Sequence, residues 1–176
     1  MANETPQQYI TRILGFQDGQ DPTRILAATP RGIEALLRGK SRAQLTKKPG
    51  PKQWSVAEIV AHLADAELVI GYRVRTILGN PGTAIQAFDQ DEWSRVGRYN
   101  QRDARASLAF FSALRTANLA IWRSLTPAQW RAYGLHAERG KETLERVWRH
   151  NAGHDLNHLA QIKAILQPGK PSRSKG

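Results

Sequence analysis

The sequence predicts an all-α fold, a single four-helix bundle with one long crossover connection. Three observations point there. Four stretches repeat apolar residues with the helical period and carry recognisable starts and stops. No segment sustains the alternation of a half-buried strand. A chain of 176 residues, 40% of them apolar, suffices for one core and fits one domain. The expected boundaries are an N-terminal extension at 1–20, the bundle at 21–167 and a basic, disordered tail at 168–176.

The first bundle helix should run from Asp21 toward Arg38, with Ile25, Leu26, Ile33, Leu36 and Leu37 as its apolar positions. Thr29 and Pro30 should kink or restart it, because proline lacks the helical donor and crowds the preceding turn. The second has the clearest start. Ser55 followed by Glu58 is a capping box, and the helix should last to Leu78, before the turn residues Gly79, Asn80, Pro81 and Gly82.

Residues 83–101 then form a long connection with a short helical turn of their own, long enough to join neighbours that are not antiparallel. The third helix spans Asp103 to Leu125, burying Leu108, Phe111, Leu114, Ile121 or Trp122, and Leu125. Thr126 with Gln129 is a second capping box opening one short turn. The fourth helix runs from Thr143 to Gln167, ahead of Pro168 and Gly169. SRAQL at 41–45 echoes TPAQW at 126–130, a hint of two related helical hairpins.

The chain has no cysteine, which excludes disulfides, thiolate metal sites and a cysteine nucleophile; any metal must be held by nitrogen and oxygen. No run approaches the ~18 apolar residues of a spanning helix, and the N-terminus lacks a basic region followed by an apolar one. Cytoplasm is therefore the default location. The net charge of +11 invites a nucleic-acid partner, but Lys170, Arg173 and Lys175 lie in the tail and the other cations are scattered without a binding motif. No phosphate loop or nucleophile elbow is present. Trp54, Trp93, Trp122, Trp130 and Trp148 fall at helix entries or apolar faces and read as packing material rather than a base-stacking surface.

His150, His154 and His158 lie four apart on the fourth helix. Each step of four turns the direction by only ~40° and climbs ~6 Å, so adjacent members can converge on one ion. His62 lies among the apolar positions of the second helix and offers a third nitrogen from a facing element. Three imidazoles suit a divalent transition metal such as zinc, nickel or iron and leave a coordination position open, as catalytic sites do.

WSVAEIVAHLADAE at 54–67 and HDLNHLAQI at 154–162 resemble the DinB/YfiT-like superfamily of candidate metalloenzymes. FDQDEW at 88–93, LTPAQW at 125–130 and HAERGKETL at 136–144 look like it too, so the resemblance covers most of residues 20–167. It implies a four-helix bundle with a non-standard helix order, often a homodimer, holding a divalent metal through His62, His154 and His158. Superfamily members include thiol-dependent S-transferases and isomerases, so a small-molecule substrate and a low-molecular-weight thiol are the partners it implies.

Around the ion, Asp65 or Glu67 could orient an imidazole or act as a general base; Asp65 is preferred, with pairing to an arginine such as Arg73 or Arg105 as its alternative. Gln161, one turn beyond His158, can bond to substrate or pack at the helix edge. His150 belongs to a pocket wall or the surface, and His136, in a loop-like stretch between Gly134 and Gly140, reads as a solvated loop residue, with a place in the pocket as its alternative. The expected function is metal-dependent transferase or hydrolase chemistry. Its rivals are a non-catalytic bundle that binds metal, nucleic acid or protein, and a metal-free bundle with packed histidines.

Overall fold

The structure is a computed structural model that describes residues 5–167; the tail expected at 168–176 lies outside the described residues. In chain order the helices are α1 (Pro6–Phe16), α2 (Pro22–Leu37), α3 (Arg42–Thr46), α4 (Val56–Gly79), α5 (Gln90–Val96), α6 (Ala104–Ser124), α7 (Pro127–Trp130) and α8 (Leu144–Leu166). Three short strands, β1 (Ala84–Ile85), β2 (Tyr133–His136) and β3 (Gly140–Thr143), make a small sheet in the order β1-β2-β3. No described helix is long and apolar enough to cross a membrane.

Helices α2, α4, α6 and α8 form the bundle. Each packs on two others, α4 on α6 and α8, and α2 on α6 and α8, so α2 faces α4 across a diagonal and α6 faces α8. The two core clusters give the directions. One joins Val56, Ile59, Val60 and Leu63 at the start of α4 to Leu108 and Phe111 early in α6, and to Ile33, Leu37 and Ile162 late in α2 and α8. The other joins Ile70, Val74 and Ile77 to Leu119 and Trp122, and to Ile25, Leu26, Leu144 and Val147. Helices α4 and α6 are therefore parallel neighbours, and α2 and α8 run the opposite way. The 80–103 connection exists because a chain leaving the end of α4 must return to its start before α6 can begin alongside.

The expected caps are formed. Ser55 and Glu58 make a full capping box, with Lys48 Nζ 2.9 Å from the Glu58 carboxylate. The echoed segments become α3 and α7, two short helices opened by the capping boxes Ser41 with Gln44 and Thr126 with Gln129. Trp122, Trp130 and Trp148 stack in series, with ring centroids 5.7 and 4.9 Å apart.

Four features differ from the sequence-based expectation. Residues 6–16 form a helix in which Ile10 and Ile13 are buried, and α1 packs along α8. Gly153 permits the approach: a Cβ there would come within 2.0 Å of the Ile13 carbonyl oxygen. Helix α2 does not restart at Pro30. The Leu26 carbonyl, four residues before the proline, accepts a hydrogen bond from Arg115 Nη1 at 2.8 Å, which replaces the missing helical donor. The buried face of α6 includes Arg115 and Asn118, while Leu114 is only half-buried. Finally, the 131–142 stretch is a β-hairpin whose first strand also pairs in parallel with β1, which Gly134 allows by lying against Ile85.

Candidate metal centre

Helices α4 and α8 run antiparallel, which sets His62 from one beside His154 and His158 from the other, and all three are buried. His62 Nε2 lies 3.0 Å from His154 Nε2, and His158 Nε2 lies 3.1 Å from the same atom. Each of the three residues offers a ligand atom within 4.8 Å of the others. Trp54 packs against the His62 ring at 4.9 Å between centroids and Phe88 at 6.3 Å, so residues just before α4 and within the crossover wall the cluster.

The hydrogen-bond pattern tests whether these residues suit a cation. Gln161 Oε1 lies 2.8 Å from His158 Nδ1 and accepts its proton, which leaves the Nε2 lone pair of His158 directed at the cluster. A neutral imidazole carries one proton, so His154 Nε2 can donate to only one of its two nitrogen neighbours. Packed without an ion, three such nitrogens leave a lone pair opposing a lone pair; a shared cation removes the conflict. Burial holds His62 and His154 well below the ordinary imidazole pKa, with the neighbouring His158 adding to the effect, and it lowers His158 to about 4 against the contrary pull of Gln161. All three rings are thus neutral at physiological pH, the form that ligates metals. The donor set is borderline-soft nitrogen, suited to zinc, nickel or iron and poorly matched to calcium or magnesium.

Two openings flank the cluster. A cavity of about 480 Å³ is lined by His62 and His154 and runs between α4 and α8 toward the β-hairpin; another, of about 560 Å³, meets His158, Gln161 and Trp54. The histidine cluster therefore borders two cavities, both of which also meet Asp91, on α5 of the crossover segment.

The remaining candidates fall differently. His150 lines the first cavity one turn before His154 and is not within the three-nitrogen cluster. His136 is not in a solvated loop: it is a buried residue of β2, 3% exposed, and lines the same cavity. Gln161 holds His158. The Asp65 carboxylate accepts hydrogen bonds from Tyr99 Oη at 2.6 Å and from Arg102 Nη1 at 3.2 Å, so it ties the end of the crossover to α4. Its cation is Arg102, not Arg73 or Arg105. His62 Nδ1, the atom that Asp65 would have oriented, makes no hydrogen bond among the described residues.

Sequence reasoning missed a second buried polar cluster one residue away. Arg115 of α6 places Nη1 2.5 Å from Asp155 and Nη2 2.9 Å from Glu67, and all three side chains are almost fully excluded from solvent. Asn118 and Asn151 each donate to the Glu67 carboxylate, at 2.8 and 3.2 Å. Burial alone would lower the guanidinium pKa, yet the Asp155 and Glu67 carboxylates hold it above its usual value. The burial of Arg115, though not its partners, had a signal: Leu108, Phe111, Arg115, Asn118 and Trp122 keep the three-and-four spacing of a buried stripe.

The comparisons with known proteins agree with this fold. The family profile of the DinB superfamily matches residues 25–162. A Bacillus subtilis protein, YfiT, provisionally named a metal-dependent hydrolase, is 27% identical over 144 residues, covering 81% of this chain and 80% of its own. A similarly named relative from Oceanobacillus iheyensis is 26% identical over 138 residues, covering 78% of this chain and 80% of its own. The solved structure of YfiT, described as a four-helix bundle of unusual topology, superposes with a TM-score of 0.76 at 23% identity, across 94% of this chain and 89% of that one.

Proposed function

The chain belongs to the DinB superfamily, and from that premise we propose that it is a divalent-metal-dependent enzyme in which His62, His154 and His158 hold the ion and leave a position open for the reacting group. The observation that carries this reading is the convergence of three neutral Nε2 atoms beside two cavities. When bound, the ion supplies Lewis acidity, lowering the pKa of water or of a thiol at its open position. The provisional naming of the relatives as metal-dependent hydrolases favours water, and so hydrolysis of a small molecule. Thiol transfer is the alternative, and its thiol would have to come from a cosubstrate because the chain has none.

The chain's own residues have separate parts. Gln161 fixes the tautomer and ring plane of His158. Trp54 and Phe88 pack against the His62 ring and hold its orientation. Asp65, Tyr99 and Arg102 act as positioning residues by securing the crossover that carries Phe88 and Asp91 over the cavity. Asp91 borders both cavities and is exposed, which makes it the carboxylate best placed to exchange a proton with solvent.

Elemental analysis of tag-free protein purified without added metal tests the reading. About one equivalent of zinc, nickel or iron per chain is expected, and His154→Ala should lose it. Absence of any transition metal, or unchanged affinity in His154→Ala, would overturn the proposal.

A further inference from the structure

The 480 Å³ cavity has a second chemically distinct end. Along α4 its floor is His62, Ala66, Ile70 and Arg73, one face at helical spacing; along α8 it is His154, His150 and Val147. Arg73 lies 11 positions beyond His62, roughly 16 Å along the axis. The middle of the channel carries Ala66 and Ile70 of α4 with Val147 and the imidazole of His150 from α8, and its far end is made of Arg73, His136, Arg139 and Glu142.

The polar groups at that end are buried and incompletely used. Arg73 is 8% exposed; among the described residues its one hydrogen bond runs from Nη2 to the Gln86 carbonyl, its Nε has no partner, and no carboxylate forms an ion pair with it. His136 Nδ1 accepts the Glu138 backbone N–H at 3.2 Å, which puts the proton of the neutral ring on Nε2, and that buried N–H is also unpartnered. Arg139 Nε is unpartnered too. Glu142 offsets the charge of the group only in part, since it pairs with Arg139 at 2.8 Å and faces Arg146 at 3.6 Å. Glu138, the other nearby carboxylate, is exposed. Burial and the nearby Arg139 charge depress Arg73 to about 10 against the contrary pull of the Glu142 and Glu138 carboxylates, which still leaves it cationic at neutral pH. A buried, unpaired cation beside buried, unpaired N–H donors is costly unless something anionic completes it.

We propose that this end of the channel is an oxyanion-binding subsite, with Arg73 and the Nε2–H of His136 as its principal donors. It would select substrates in which a carboxylate or phosphate is separated by a spacer, passing Ala66, Ile70 and His150, from the group presented to the three histidines. The proposal rests on the functional reading above for the identity of the reacting end, and on none of it for the binding of the anion.

The test follows the ¹⁵N resonances of His136 and the arginine Nε groups while sodium phosphate or sodium acetate is titrated at constant ionic strength. Saturating shifts of His136 Nε2 and Arg73 Nε are expected with at least one anion, and the tighter one identifies the headgroup. Arg73→Met should weaken that binding about tenfold or more, and His136→Gln several-fold. His154→Ala and metal-free protein should bind the same anion as the wild type. The proposal is overturned if neither anion saturates below about 100 mM, a range already far weaker than a built site. Saturation unchanged in a folded Arg73→Met protein would also overturn it, as would binding that requires the metal, which would place the anion on the ion. The wild-type resonances decide the matter even where a variant fails to fold. Intact anion binding in a protein that holds no metal would leave the subsite standing and sink only the enzymatic reading.

Discussion

His154 and Asp155 are consecutive residues, yet they enter two buried polar clusters of opposite character. On the Asp155 side, one guanidinium meets two carboxylates, and Asn118 and Asn151 complete the Glu67 oxygens; Arg115 Nε alone is left over among the described atoms of that group. On the His154 side, three nitrogens face one another with too few protons to bond, and His62 Nδ1 is unpartnered. The first cluster satisfies itself and holds α2, α4, α6 and α8 together. The second is satisfied only by something added. Burial and polarity do not mark a site by themselves; incomplete pairing does.

The strongest way to break the contrast is to remove Arg115. Arg115→Met should destabilise the fold by about 3 to 5 kcal/mol, because it strands two buried carboxylates and frees the Leu26 carbonyl. Chemical denaturation measures it. A loss under 1 kcal/mol, on the scale of an ordinary surface substitution, would mean the cluster is no scaffold. His154→Ala should behave in the opposite way in metal-free protein, with little or no loss of stability, because it relieves a nitrogen contact that lacks protons.

Metal itself gives the next effect. At a free concentration 100 times the dissociation constant, the ion should add about 2.7 kcal/mol to stability, which for a chain of this size raises Tm by roughly 5 to 10 °C. Thermal scans with and without the ion should show the rise in the wild type and not in His154→Ala. Gln161→Leu sharpens the point, since it spares every ligand and removes only the acceptor for His158 Nδ1. It should weaken metal affinity by roughly 10- to 100-fold, read by competition with a chelating dye. Unchanged affinity would show that Gln161 merely packs.

The same contrast explains what could be read from the sequence. The four bundle helices were legible because their caps and stops are local: Ser55 with Glu58 opens α4, and the Gly79 to Gly82 turn ends it, within a few residues. His62, His154 and His158 were legible as a group because helical spacing and a facing helix suffice to bring them together. The Arg115 cluster was not, since the sequence around a buried arginine does not name the carboxylates on two other helices that compensate it. Helix α1 escaped notice because its buried residues are few and its seat depends on Gly153, 140 positions beyond Ile13. The strands are two to four residues long, too short for alternation to register, and they exist through pairing with one another. His136 therefore looked like part of a solvated loop when it is a cavity wall.

Asp65 gives the smallest expected effect and the finest division between the two kinds of cluster. It lies three residues after His62, as an orienting carboxylate would, but its partners are Tyr99 and Arg102. Tyr99→Phe removes the hydroxyl that donates to Asp65 and leaves Arg102 in place, so it should cost about 1.5 to 3 kcal/mol at most, as hydrogen bonds to charged groups do. Burial and the Asp65 carboxylate raise the Tyr99 pKa, so the phenol stays protonated and this donation persists across the neutral range. Metal affinity should be unchanged in both Tyr99→Phe and Asp65→Asn. Should Asp65→Asn instead weaken the metal to the degree expected of Gln161→Leu, the carboxylate would belong with the imidazoles after all, and the self-contained Asp65 cluster would be a second support for the ion.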